Sequence, residues 1–287
     1  MRSTFFSPLL LVALAAIATG ADPEDFRIER NVAYLPEGRT EKADLYLPLT
    51  IPKGGRVPAV VIIHGGGFTG GKRDAARELN IGGTLARNGY IGMSIDYVLA
   101  APNKPVWPRN LSDCKTAVRW LRANAGRLQI DPDHIGVIGG SAGGTLAALV
   151  TLTRVGDGLD PAGPLGDFSC AVQCGVDLYG IADMGTWHDN VMFGKTNAEA
   201  PDLYRRASPI TYVRADNPPI LILHGTADKT VDVSQSERFA EALKKAGAPH
   251  ELLIIPDASH SFHLQPKQRD LRPVVLGFFD RNLKPAR

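Results

Sequence analysis

Gly139-Gly140-Ser141-Ala142-Gly143 is a G-x-S-x-G pentapeptide that follows the apolar run 135–138 and precedes the helix-forming stretch 145–150. A serine placed between a strand and a helix sits on a sharp, strained turn that exposes its hydroxyl, and flanking glycines let the two elements pack closely enough for it. In that setting Ser141 is a candidate nucleophile. The rival reading, a phosphate-binding loop, expects a lysine after the glycines, and none follows Ser141.

A second glycine cluster, His64-Gly65-Gly66-Gly67-Phe68, closes an earlier apolar run. It matches the HGGG-type loop whose backbone amides bind a developing oxyanion. Gly66 and Gly67 are the expected donors from this loop, with the Ala142 amide as the third; removing one such donor typically costs about 3 to 4 kcal/mol in the transition state. His64 reads as a residue that fixes the loop rather than a proton carrier.

A serine nucleophile needs a base and an acid that orients the base. Asp228 lies in a loop after the run 220–223, with Asp232 close by as its competitor. His260 and His263 both follow the run 252–255, and spacing from that run does not separate them. Acid and histidine thus come in the order Ser, Asp, His, each just after an expected strand.

The elements that must position these groups alternate along the chain. Residues 32–35 and 43–47 read as a short antiparallel hairpin at a sheet edge, interrupted by Pro36, Glu37 and Gly38. Residues 59–63, 90–96, 135–138, 171–178, 220–223 and 252–255 are apolar, strand-like runs separated by helical stretches. Repeated strand–helix–strand order predicts an α/β fold, a mostly parallel sheet with helices on both faces and active groups at its carboxyl edge. Cys114, Ala117, Val118 and Leu121 fall on one helical face, leaving Asp113, Lys115 and Arg119 outside that stripe. Residues 234–246 form a further helix that stops at Gly247. The irregular piece 180–214 is expected to form a short cap, and residues 22–287 one catalytic domain.

Composition narrows the function classes. The sequence has 32 Lys and Arg against 30 Asp and Glu, a formal charge of +2, with no basic stripe, which gives no footprint for nucleic acid. Arg2 followed by the apolar run 9–18 and the small residues Ala18, Thr19 and Gly20 reads as a signal peptide over residues 1–20, and hence as a secreted or periplasmic protein without a membrane anchor after cleavage. Three cysteines cannot all pair with one another. Cys170 and Cys174, placed in one strand, would stand about 13 Å apart, too far for a disulfide; a bridge from Cys114 to one of them competes with three buried thiols. No Cys/His cluster suggests zinc, and the expected chemistry requires no cofactor.

On these residues the chain resembles the BD-FAE-like esterase/lipase group of the α/β-hydrolase superfamily, related to feruloyl and acetylxylan esterases and the hormone-sensitive-lipase group. The resemblance runs from about Val32 to the C-terminal helix. It rests on HGGGF at His64, SIDYVLA at Ser94, the stretch from Asp113 through GGSAGG, DLYGIAD at Asp177, HGTADKTV at His224 and the segment 259–262. It implies the α/β-hydrolase fold, Ser141, Asp228 and His260 as the catalytic residues, Asp232 and His263 being demoted, and Gly66, Gly67 and Ala142 as the oxyanion hole. Ser259 and Ser261 stand where the family usually has glycines. The implied activity is a serine carboxylic ester hydrolase acting on small-molecule or polysaccharide-linked esters, with acetyl or feruloyl groups favoured. A prolyl-oligopeptidase-like peptidase, expected to carry a propeller ahead of the hydrolase domain, and a non-catalytic binding protein are the alternatives.

Overall fold

The computed structural model describes residues 25–163 and 165–284; the expected leader, residues 1–20, lies outside them. In chain order the elements are β1 (Phe26–Val32), β2 (Ala43–Pro48), β3 (Val57–Ile63), α1 (Ala76–Arg87), β4 (Ile91–Ile95), α2 (Arg109–Ala123), α3 (Ala125–Leu128), β5 (Ile130–Gly140) and α4 (Ala142–Leu152). They continue with β6 (Cys174–Leu178), α5 (Pro201–Arg206), β7 (Ile220–Gly225), α6 (Ser234–Ala246), β8 (His250–Ile255) and α7 (Arg272–Leu283).

One sheet holds all eight strands in the order β1-β2-β4-β3-β5-β6-β7-β8. β1, β2 and β4 pair antiparallel, and from β4 through β3 to β8 every neighbour is parallel. The alternation of side chains along a strand divides the interior into two layers. Ala59, Val61 and Ile63 of β3 face α2, α4 and α6, whereas Val60 and Ile62 face α1 and α7. Strands buried on both faces explain the unbroken apolar runs. α4 is buried all round, in keeping with its sequence AGGTLAALVTL and its place behind the centre of the sheet.

Three expectations need correction. The first strand is Phe26–Val32, not 32–35; Phe26 and Ile28 alternate with Arg27 and Glu29, a one-faced edge pattern that the absence of an apolar run conceals. The strand expected over 171–178 begins only at Cys174, so Cys170 lies before it; all three cysteines are buried and unpaired. Asp113, Lys115 and Arg119 lie outside the apolar stripe of α2 yet are buried with it. Neighbouring segments supply their partners: Arg39 for Asp113 at 2.6 Å, Asp160 for Lys115 at 2.5 Å, and the Pro161 carbonyl for Arg119 at 2.6 Å.

The insertion between β6 and β7 folds as three single 3-10 turns, Met184–Thr186, Val191–Phe193 and Pro209–Tyr212, around the short α5. It is pinned from two sides. Met192 O accepts the Val106 amide at 2.9 Å, and Gln235 of α6 accepts the amides of Ala182 and Asp183 at 3.1 and 2.9 Å. Among the described residues no helix is long and apolar enough to cross a membrane.

Candidate active site

β5 passes directly into α4 through Ser141, whose φ of 57° and ψ of −125° lie where a side chain is strained. The neighbouring glycines are there for space. A Cβ on Gly139 would stand 2.1 Å from the Gly143 carbonyl oxygen, and one on Gly143 would stand 2.1 Å from that of Ile63. The Ser141 amide donates to Leu178 O on β6 at 2.9 Å, which anchors the turn to the sheet.

The loops after β7 and β8 bring Asp228 and His260 to this serine. His260 Nε2 lies 2.9 Å from Ser141 Oγ, and His260 Nδ1 lies 2.6 Å from Asp228 Oδ2. The carboxylate accepts only, so Nδ1 carries the proton and Nε2 is left to accept from the serine. The Asp228 side chain is fully buried. Burial alone would raise its pKa, but hydrogen bonds from His224, His260 and the amides of Val231 and Thr230 outweigh it and hold the carboxyl well below its ordinary value. The competitors lie elsewhere: the Asp232 carboxylate accepts the Ser234 amide at 2.9 Å, and His263 sits exposed at the rim of the cleft.

The loop after β3 forms the opposite wall. Gly66 and Gly67 have φ of 114° and 61°, and Gly66 O accepts the amides of Thr69 and Gly70 at 3.1 and 3.0 Å, folding the loop back on itself. Among the described residues the amides of Gly66, Gly67 and Ala142 donate to no protein acceptor, as an anion-binding group of donors requires. His64 lies beneath, its ring stacked on Tyr97 at 4.3 Å and its Nδ1 2.7 Å from Gly65 O. Burial pushes its pKa down, so the ring is neutral and donates from Nδ1, which fits a residue that holds the loop. Asn190 Nδ2 from the insertion reaches Gly67 O at 3.4 Å.

Ser141, His260 and the 65–67 loop line one cleft of about 460 Å³. Arg77 and Glu78, which no motif marked, stand in the same cleft as a buried ion pair at the start of α1. Arg77 also donates to Tyr179 Oη at 3.0 Å, Tyr179 Oη donates to Phe262 O at 2.8 Å, and the Tyr179 ring meets His260 edge-on at 4.9 Å. Tyr179 lay within a recognised motif, whereas the pair on α1 carries no local signal. Among the described residues no group of His, Cys, Asp and Glu is arranged to hold a metal ion. A hydroxyl, an imidazole, a buried carboxylate and three unclaimed amides together can carry out acyl transfer.

Esterase LipQ of Mycobacterium tuberculosis is 33% identical over 82% of the chain, and the chain spans only 57% of its length. A carbohydrate esterase from gut microbiota, in truncated form, superposes with a TM-score of 0.83 at 27% identity, covering 92% of this chain and 99% of that one. Thermogutta terrifontis esterase 2 phosphorylated by paraoxon superposes with a TM-score of 0.76 at 26% identity, over 91% of this chain and 96% of that one. The fold is that of the α/β-hydrolases. With the BD-FAE family profile matching residues 43–243, the larger part of its length, the chain belongs to the BD-FAE family.

Proposed function

We propose that the protein is a serine carboxylic ester hydrolase for short-chain or aromatic acyl esters, with acetyl or feruloyl groups on plant polysaccharide as the favoured class. The observation that carries this reading is the continuous chain from Ser141 Oγ through His260 to the buried Asp228, at 2.9 and 2.6 Å. As Ser141 Oγ attacks the ester carbonyl carbon, its proton passes to His260 Nε2 and the carbonyl oxygen becomes an anion facing the amides of Gly66, Gly67 and Ala142. The tetrahedral species collapses by breaking the bond to the alcohol oxygen, which takes the proton from His260 Nε2. Water then adds to the acyl-serine, its proton going to the same nitrogen, and the carboxylic acid leaves as Oγ regains its proton. Asp228 holds the tautomer and stabilises the imidazolium at both stages.

Two further features support the substrate class. The cleft is small, and Lys72, Arg77, Glu78 and His263 line it beside the reacting groups, an environment suited to a short acyl group on a polar alcohol rather than a long alkyl chain. The carbohydrate esterase among the structural relatives is in keeping with that class. The expected export signal fits a polymer met outside the cell. The test is hydrolysis of p-nitrophenyl acetate, butyrate and octanoate, methyl ferulate and acetylated xylan by the wild type and Ser141→Ala. Turnover of short or aromatic esters that falls by several orders of magnitude in the variant is expected. Cleavage of peptides with no ester turnover would overturn the reading.

A further inference from the structure

Two histidines lie against Asp228 Oδ2, at 2.6 and 3.2 Å, and only one of them faces the serine. His224, the penultimate residue of β7, is fully buried, with Nε2 2.9 Å from Val231 O and 3.2 Å from Asp228 Oδ2, and Nδ1 2.7 Å from Ser236 Oγ on α6. Both groups facing Nε2 are acceptors, so Nε2 carries a proton, and the Ser236 hydroxyl donates to Nδ1. The carboxylate oxygen that lies 3.2 Å from His224 Nε2 is the one that accepts from His260 Nδ1.

We infer that His224, with its ring held by Ser236, is a positioning residue that acts through Asp228 and tunes the proton affinity of His260. The inference rests on the ester-hydrolase reading for its kinetic consequences. The His224 N–H, 3.2 Å from Oδ2, offsets part of the negative charge that would otherwise stabilise the His260 cation, so His224 keeps the base from holding its proton too strongly. The same ring ties the loop together: Val231 O accepts from His224, while the Thr230 and Val231 amides bind Asp228 Oδ1 at 2.8 and 2.9 Å. The two carboxylate oxygens are therefore held separately, Oδ1 by the backbone of its own loop and Oδ2 by His260, with the His224 ring against it.

The other charged or titratable groups around the pair come from several elements. Asp177 on β6 is buried and coupled to His224, Asp232 lies in the loop that follows β7, and Tyr179 after β6 faces His260 with Arg77 and Glu78 behind it. None of these is hydrogen-bonded to Asp228 Oδ2; Asp177 and Asp232 feel His224 directly, and Ser236→Ala leaves all of them in place.

The experiment compares wild type with His224→Phe, which removes the N–H, His224→Gln, whose amide N–H can restore it, and Ser236→Ala, which releases the ring at Nδ1. Two readouts are taken across pH: titration of the His260 ring by NMR, which needs no substrate, and the acid limb of kcat/KM for p-nitrophenyl acetate. His224→Phe is expected to raise both the ring titration and the limb by about half a pH unit or more, with kcat lower by roughly tenfold. His224→Gln should return both towards wild type. Ser236→Ala, a small excision, should move them in the same direction by less, and it decides the matter if His224→Phe does not fold. A ring titration unmoved or lowered in folded Ser236→Ala and His224→Phe would overturn the inference, even if kcat fell. A wild type inert on esters whose His260 titration nonetheless shifts as stated would sink the ester reading and leave the coupling standing.

Discussion

The two halves of the site are held by different physics. The half built on β3 and β5 is fixed by backbone packing: Ser141 in a strained turn, Gly139 and Gly143 where a side chain would collide with a carbonyl oxygen, and amides left unbonded in the 65–67 loop. The half built on β7 and β8 is fixed by side-chain hydrogen bonds, with Asp228 receiving the His260 imidazole and two amides, the His224 ring packed beside it and Tyr179 resting against His260. A steric frame and a hydrogen-bonded frame fail differently. Damage to the first should cost stability and activity together, whereas damage to the second should cost activity while the fold survives.

The largest effect should come from Asp228→Asn, which keeps the shape of the side chain but offers the wrong partner to His260. A fall in kcat of about 10⁴-fold, or roughly 5 kcal/mol of barrier, is expected with an almost unchanged circular dichroism spectrum. Gly143→Ala belongs to the other half, since its Cβ would lie 2.1 Å from Ile63 O. A loss of about 3 kcal/mol or more in chemical denaturation, together with loss of activity, is the expected result. If Gly143→Ala unfolded at the same denaturant concentration as wild type, the contrast between the halves would fail.

The pH dependence of stability sharpens the comparison, because Asp177 sits beneath the start of α4 with its carboxylate accepting the Gly180 amide at 2.8 Å. Burial raises its pKa from 3.8 to about 6, against smaller opposing effects from His224 and the Gly180 amide. A folded-state pKa above the unfolded value means that this contribution to stability is full below about pH 4 and is lost as pH rises through about 6. Asp177→Asn, which keeps the acceptor, should remove that fall and raise stability at pH 7 by on the order of 2 kcal/mol. Thermal melts at pH 4 and pH 7 would show it, and equal pH responses in variant and wild type would contradict the assignment. Asp228 works in the opposite sense: its lowered pKa gives stability present above the ordinary aspartate range and lost on acidification.

The smallest effect concerns Ser261, beside His260, which takes φ of 65° in the left-handed region that favours glycine. Ser261→Gly should relieve that conformation and raise stability by about 0.5 to 1 kcal/mol. A lower melting temperature would mean that the serine makes a compensating interaction.

The steric half was the more legible in the sequence, because glycines forced by close approach recur at fixed spacing around one serine and leave a local pattern. The parallel strands were legible for a related reason: burial on both faces produces unbroken apolar runs such as 59–63 and 220–223. β1 was misplaced because an edge strand buries one face only, so Phe26 and Ile28 stand among charges. Asp228 and His260 were separable from Asp232 and His263 only through family resemblance, since strand spacing treats neighbours alike. The buried charges of α2, the Arg77–Glu78 pair and the second histidine on Asp228 were not legible as such. The partners of the α2 charges, and Tyr179 for Arg77, are distant in sequence, Arg39 to Asp113 among them; Arg77–Glu78 and His224–Asp228 are close in sequence, but nothing local marks them as buried at the site.

The central claim is that Ser141 is a nucleophile activated by His260, and its most direct test is intact-mass spectrometry after exposure to a fluorophosphonate probe, with peptide mapping. The account predicts one adduct per chain on Ser141 in the wild type, none in Ser141→Ala, and labelling slowed by at least about 10³-fold in His260→Gln. An unlabelled wild type that is folded, or an adduct retained in Ser141→Ala, would contradict it.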